Sequence, residues 1–200
     1  MTNNALIQSL SVAWNQSQAH GQNYVTLGNF KVEKETEVIF DRMFDLHCSN
    51  FFVMKKKVRG RYLIDIHSWQ DGSPEIDRVL LPTQLAIESG ISPEPIGVEL
   101  KKSGEKIGHA IAQCIDYRHA EFVIDTDSAR QRLDAVFLFE APFIYNDIAS
   151  VATQFRVGVC RRYYGLQFAF SAQVAFAFQN NVMTRFCKKT DDYGRKRGHR

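Results

Sequence analysis

Ile96-Gly97-Val98-Glu99-Leu100-Lys101-Lys102 decides how the rest of the chain is read. The run opens behind Pro95, is apolar over most of its length and breaks at Ser103-Gly104, the pattern of a short buried strand. Glu99 and Lys101 stand two apart inside it. Side chains of a strand alternate faces, so these two project the same way. A carboxylate and an ammonium at the end of an apolar strand can form a simple ion pair. They can also be a metal ligand beside a group that handles a water molecule.

On the N-terminal side, Glu75-Ile76-Asp77-Arg78-Val79-Leu80-Leu81 reads as a strand, with Asp77 near its start. Pro82, Gly90, Pro93 and Pro95 make 82–95 a loop with room for one helical turn. Further upstream, Glu33 to His47 carries a helical pattern. Val38, Ile39, Phe40, Met43, Phe44 and Leu46 supply a wide apolar face, and Thr36 is a candidate cap. Glu33 and Glu37 share one side of its first turns. Phe51–Met54 and Tyr62–Ile66 read as strands. Lys55, Lys56, Lys57, Arg59 and Arg61 lie between them, with Gly60 marking a turn or bulge. Such a basic hairpin fits either a solvated loop or a phosphate-contacting surface. Gln70 to Pro74 has the composition of a turn.

On the C-terminal side, Ile107 to Ala120 is the clearest helix, with Ile107, Ala110, Ile111, Cys114 and Ile115 as its apolar stripe. His109, Gln113 and Tyr117 step along a neighbouring face. Asp134–Phe139 reads as a strand, Asp147–Arg162 as a helix, and Leu166–Phe170 and Val174–Phe178 as alternating strands. The fold class is therefore α/β, a mixed central sheet flanked by helices. If the strands carrying Asp77 and Glu99 pair, the two carboxylates converge at one end of that sheet. Hard oxygen ligands of this kind suit Mg²⁺ or Mn²⁺, which keep several waters and bind phosphate.

Asp77, then Glu99-Leu100-Lys101, then Gln113-Cys114-Ile115-Asp116-Tyr117 on the following helix resembles the PD-(D/E)xK nuclease superfamily, in its RecB-like QxxxY variant. The resemblance spans roughly residues 33–178. It implies a restriction-endonuclease-like fold and Mg²⁺-dependent hydrolysis of DNA phosphodiester bonds. It implies Asp77, Glu99 and the carbonyl of Leu100 as metal ligands, Lys101 as the group acting on water, and Glu37, or Glu33 as alternate, as a supporting acid. Gln113 and Tyr117 would contact the carboxylates, the lysine or the DNA backbone, with His109 a further phosphate contact. Ile76 replaces the proline of the family motif, and the long interval from Asp77 to Glu99 implies an inserted loop. Asp65 is a rival for the aspartate role. The alternative function, from another class, is a non-catalytic nucleic-acid-binding or assembly protein on a nuclease-like scaffold.

The 200 residues suit one domain with a substantial core. We expect a helical or loop extension at 1–30, the nuclease-like domain at 31–187 and a basic, disordered tail at 188–200. The net charge of +3 is compatible with an anionic partner such as DNA. No apolar run of about 18 residues and no basic-then-apolar N-terminus is present, so neither a membrane span nor a secretion signal is expected. Four scattered cysteines without a CxxC pair read as free thiols in a reducing cytoplasm. Cutting both strands of a duplex commonly needs two sites, so a homodimer or higher oligomer is also expected.

Overall fold

The strand around Glu99 lies near the middle of a mixed sheet. The computed structural model describes residues 33–63, 69–101, 107–124, 130–139, 152–162, 164–170 and 173–186. Within them the chain runs α1 (Glu33–His47), β1 (Phe52–Leu63), β2 (Trp69–Pro82), α2 (Gln84–Glu88), β3 (Ile96–Leu100), α3 (Ile107–Arg118), β4 (Ala120–Phe122), β5 (Ala135–Phe139), β6 (Val157–Arg162), β7 (Leu166–Phe170), β8 (Gln173–Gln179) and β9 (Val182–Phe186). The strands form one sheet in the order β4-β1-β2-β3-β5-β6-β7-β8-β9. β3, β5 and β6 run parallel, and every other neighbouring pair is antiparallel.

The parallel centre explains the apolar reading. All residues of β3 and β5 are buried, because both faces of these strands are covered. On one face, Ile107, Ala110, Ile111 and Cys114 of α3 pack with Val79, Val136 and Leu138. On the other, Phe40 and Phe44 of α1 and Ala86 of α2 pack with Leu80, Val98 and Phe137. Phe137 anchors this second core, its ring centroid 5.1 Å from both Phe168 and Phe170. The Phe168 pair is edge-to-face and the Phe170 pair tilted, and aromatic pairs in such arrangements add about 0.5–1.5 kcal/mol each beyond area burial. Gly97 lets the layers close: a Cβ there would lie 2.4 Å from Ile76 Cδ1 and 2.8 Å from Leu133 Cδ1.

α1 is pinned at both ends. Near its start, Thr36 is wholly buried and donates from Oγ1 to the carbonyl of Lys101 at 3.3 Å; it is not a cap. At its end, the turn between β8 and β9 docks on it. Asn180 and Asn181 both have positive φ, as a two-residue hairpin turn of this type requires. Their main-chain N–H groups donate to His47 Nδ1 at 3.0 Å and to His47 O at 3.1 Å. The buried stripe of α1 is narrower than its composition suggests. Thr36, Phe40, Phe44 and Cys48 point inward, whereas Val38 is 61% exposed and Leu46 faces solvent.

Other expectations also change. Residues 52–63 form one strand with a register shift between Arg59 and Arg61, so the basic residues do not sit in a hairpin loop. The turn-like stretch 70–74 belongs to β2: residues 70 and 71 pair with Tyr62 and Arg61 of β1, and 72–74 lie at the register shift. The helix expected over 147–162 is β6 in its last part. Val157, Val159 and Cys160 slot beside β5, a buried position where a short apolar run is compatible with either structure. β4 and β9, which close the two sides of the sheet, were not anticipated. The expected N-terminal extension, the basic tail and Asp65 lie outside the described residues. Among the described residues no helix is long and apolar enough to cross a membrane.

Candidate active site

β2 and β3 pair antiparallel, with Arg78 opposite Val98 and Val79 opposite Gly97. One step further, Asp77 and Glu99 occupy facing positions, and here the ladder opens. In place of a main-chain acceptor, the N–H of Leu100 finds Oδ2 of Asp77 at 2.8 Å. Across β1 the flanking pairs are Lys56–Arg78 and Val58–Ile76, so Lys57 faces Asp77. Lys57 sits at φ 49°, in the left-handed region. Its ammonium bonds to Oδ1 of Asp77 and lies 3.2 Å from Oε1 of Glu37.

Arg78 ties this cluster to α1. It is 1% exposed. Nη1 donates to its neighbour's carbonyl, that of Asp77, at 2.8 Å. Nε and Nη2 grip Asp41 Oδ1 and Oδ2 at 2.7 and 3.1 Å, and Nη2 reaches Glu37 Oε2 at 3.2 Å. This is the two-point fork that a guanidinium offers a carboxylate. Lys56 completes the clasp, 2.6 Å from Asp41 Oδ2. Burial pushes the Glu37 and Asp41 carboxyls up, but hydrogen bonds and charge from Lys57 and Arg78 on Glu37, and from Arg78 and Lys56 on Asp41, hold both below the usual range.

Glu99 is the least hydrated acid of the group. Only 3% of it is exposed. Oε1 accepts from Lys101 Nζ at 2.8 Å, while Oε2 is buried with no hydrogen-bond partner. Burial first, and then the charge of Asp77, push this carboxyl up to about 7 against the opposing pull of Lys101 and of a hydrogen bond to the carboxylate from the Asp77 main chain. A buried carboxylate oxygen without a donor is uncommon in a folded protein and calls for an account.

The structure thus brings Asp77, Glu99, Leu100, Lys101 and Glu37 into one neighbourhood. Gln113 and Tyr117 take a different position from the one expected. Tyr117 is buried, and its single hydroxyl hydrogen goes to the carbonyl of Glu75 at 2.8 Å, while Gln113 Nε2 donates to the same hydroxyl at 2.5 Å. The pair ties α3 to β2 beside the carboxylates. Burial, and then the nearby Glu99 charge, drive the Tyr117 phenol well above its ordinary range. His109 is exposed on the first turn of α3. Among the basic residues of β1, Lys56 and Lys57 serve α1 and Asp77, Arg59 Nε bonds Glu75 Oε2 at 3.0 Å, and Arg61 Nη2 lies 3.9 Å from Glu121. Lys55 is half-buried on the same strand. An ion pair at a position as exposed as Arg59 contributes little to stability.

Asp41, Arg78 and the role of Lys57 escaped the sequence reading. Two signals were present. Asp41 continues the four-residue spacing of Glu33 and Glu37, and Arg78 is a charge inside an otherwise apolar strand. Among the described residues, no three His, Cys, Asp or Glu side chains already stand as a cage for an ion. The hard oxygen donors that the β2–β3 register does place near one another have the chemistry of a hard-cation set with few protein ligands. They comprise two facing carboxylates, one with an unpartnered oxygen, beside the main chain of Leu100. Comparison with protein-family models, with curated proteins and with solved structures finds no match to this chain.

Proposed function

We propose that the protein is a metal-dependent deoxyribonuclease with a PD-(D/E)xK-type site on a restriction-endonuclease-like sheet. The observation that carries this reading is the orphaned Oε2 of Glu99, buried opposite Asp77 where β2 and β3 part. Asp77, Glu99 and the carbonyl of Leu100 would hold Mg²⁺ or Mn²⁺. When bound, such an ion lowers the pKa of a water and neutralises charge on phosphoryl oxygens. Lys101, fixed by its bond to Glu99, orients the attacking water and adds positive charge where negative charge develops in the transition state. Arg78 and Asp41 set the angle of α1 and so place Glu37 beside the site. Gln113 and Tyr117 support β2 from the opposite layer. Lys55, Arg59 and Arg61, along β1, would follow the DNA backbone, with affinity that falls as salt rises.

The test is cleavage of a DNA duplex in Mg²⁺ or Mn²⁺ by purified wild-type protein and by Glu99→Ala and Lys101→Ala, each checked for native folding. Wild type cuts and both variants lose cutting by several orders of magnitude. A folded variant that cuts like wild type overturns the site. One observation favours the second reading, a nucleic-acid-binding scaffold without turnover: each of four acids (Glu37, Asp41, Asp77, Glu99) is already ion-paired with at least one of four bases (Lys56, Lys57, Arg78, Lys101). Salt-sensitive DNA binding with no cleavage in Mn²⁺ would establish it.

A further inference from the structure

We propose that Lys57 is a built-in competitor for the divalent cation, its ammonium holding the Asp77 oxygen that an incoming ion must take. This rests on the nuclease reading and adds how that site is controlled. Asp77 has two carboxylate oxygens. Oδ2 is engaged by the N–H of Leu100 at 2.8 Å, a bond that also orients the carboxylate. Oδ1 is engaged by Lys57. The same ammonium lies 3.2 Å from Glu37, so it bridges an acid of β2 and an acid of α1. A single positive charge between two carboxylates stands in for a cation, and an ion that binds Asp77 must displace it.

Two further features separate Lys57 from Lys101. The Lys57 side chain is 41% exposed, so its head can leave for solvent without crossing the core; Lys101 is 11% exposed and tied to Glu99. Lys57 also adopts φ 49°, a conformation costly for any residue with a Cβ. The fold tolerates that cost while aiming this side chain at Asp77 across the strand pair. Lys101 therefore stays with the site when an ion enters, and Lys57 is the group that moves. The consequence is a site whose affinity for its metal is held down until the ammonium leaves.

Calorimetric titration of Mn²⁺ into wild type, Lys57→Met, Lys57→Gly and Lys57→Arg, without DNA, tests this. Lys57→Met and Lys57→Gly bind Mn²⁺ roughly tenfold tighter than wild type, an ordinary coupling between two cations for one carboxylate. Lys57→Arg retains the charge and the wild-type affinity. Glycine is at ease at positive φ, so the Lys57→Gly protein remains informative if the methionine variant misfolds. A merely structural role would weaken binding, the opposite sign. Equal or weaker Mn²⁺ binding by the neutral variants, or an arginine variant that binds as tightly as they do, overturns the competition and leaves the metal site standing. Absence of Mn²⁺ binding in all four proteins overturns the metal site and the competition together.

Discussion

The main-chain N–H of Leu100 donates to Oδ2 of Asp77 at 2.8 Å, and this bond replaces a rung of the β2–β3 ladder. A side chain that substitutes for backbone at a strand junction is held in one orientation, and its other oxygen is turned toward Lys57.

Asp77→Asn can still accept from Leu100, whereas Asp77→Ala leaves that buried N–H without a partner. Urea denaturation should show Asp77→Ala less stable than Asp77→Asn by about 1–3 kcal/mol, the cost of an unsatisfied buried donor. Both should abolish Mg²⁺-dependent cleavage, because the asparagine is a poor ligand for a hard cation.

Arg78 is buried and forks onto the part-buried Asp41; removing the guanidinium takes the main partner from Asp41, which keeps Lys56, and takes a hydrogen bond from Glu37. Arg78→Met should cost about 1–3 kcal/mol, below the full penalty of a stranded buried charge because Lys56 and Lys57 still neutralise Asp41 and Glu37. The double variant Arg78→Met/Asp41→Leu should recover part of that loss. Chemical denaturation of the four proteins gives the coupling energy. A sum of independent effects would show that the fork carries none.

Stability should depend on pH in two opposite ways. For Glu37 and Asp41 the folded pKa is depressed, so their contribution is present above the ordinary carboxylate range and lost as pH falls through it. For Glu99 the folded pKa is raised from 4.5 to about 7, so the folded state binds the extra proton. Its favourable contribution is present below pH 4.5 and lost as pH rises through 7. Melting temperatures of wild type and Glu99→Gln between pH 5 and 8 should separate the terms, with the variant showing the flatter decline. Parallel curves would rule out a raised Glu99.

Tyr117→Phe should behave as a positioning change. It loses the hydroxyl bond to Glu75, worth about 0.5–1.5 kcal/mol of stability. Cleavage should fall far less than for Glu99→Ala. A loss as large as that of Glu99→Ala, in a protein of native stability, would place the phenol in the chemistry itself.

Much of this arrangement is legible in the one-dimensional pattern. An uninterrupted apolar run such as Ala135–Phe139, or one broken by a single charge such as Ile96–Leu100, occurs where both faces of a strand are covered, and β5 and β3 are such strands. The three-to-four-residue spacing of Ile107, Ala110, Ile111 and Cys114 marks α3, and period-two alternation marks β7 and β8. Asp77 and Glu99 stand out as charges at the ends of apolar strands. Where short apolar runs carry no helical or alternating bias, as at Val157–Cys160, local pattern does not choose, and docking beside β5 does.

Hydrophobic periodicity is a property of neighbouring residues, so it survives in the linear order and determines which segments become strands and helices at the centre of this sheet. Charge pairing is not local. Lys57 meets Asp77 across 20 residues, and Arg78 meets Asp41 across 37. Only the antiparallel register of β1 on β2 and the packing of α1 over them decide which base faces which acid. That is why the row of lysines and arginines, read alone, fits either a solvated loop or a phosphate-contacting surface, whereas the fold makes Lys57 the partner of Asp77.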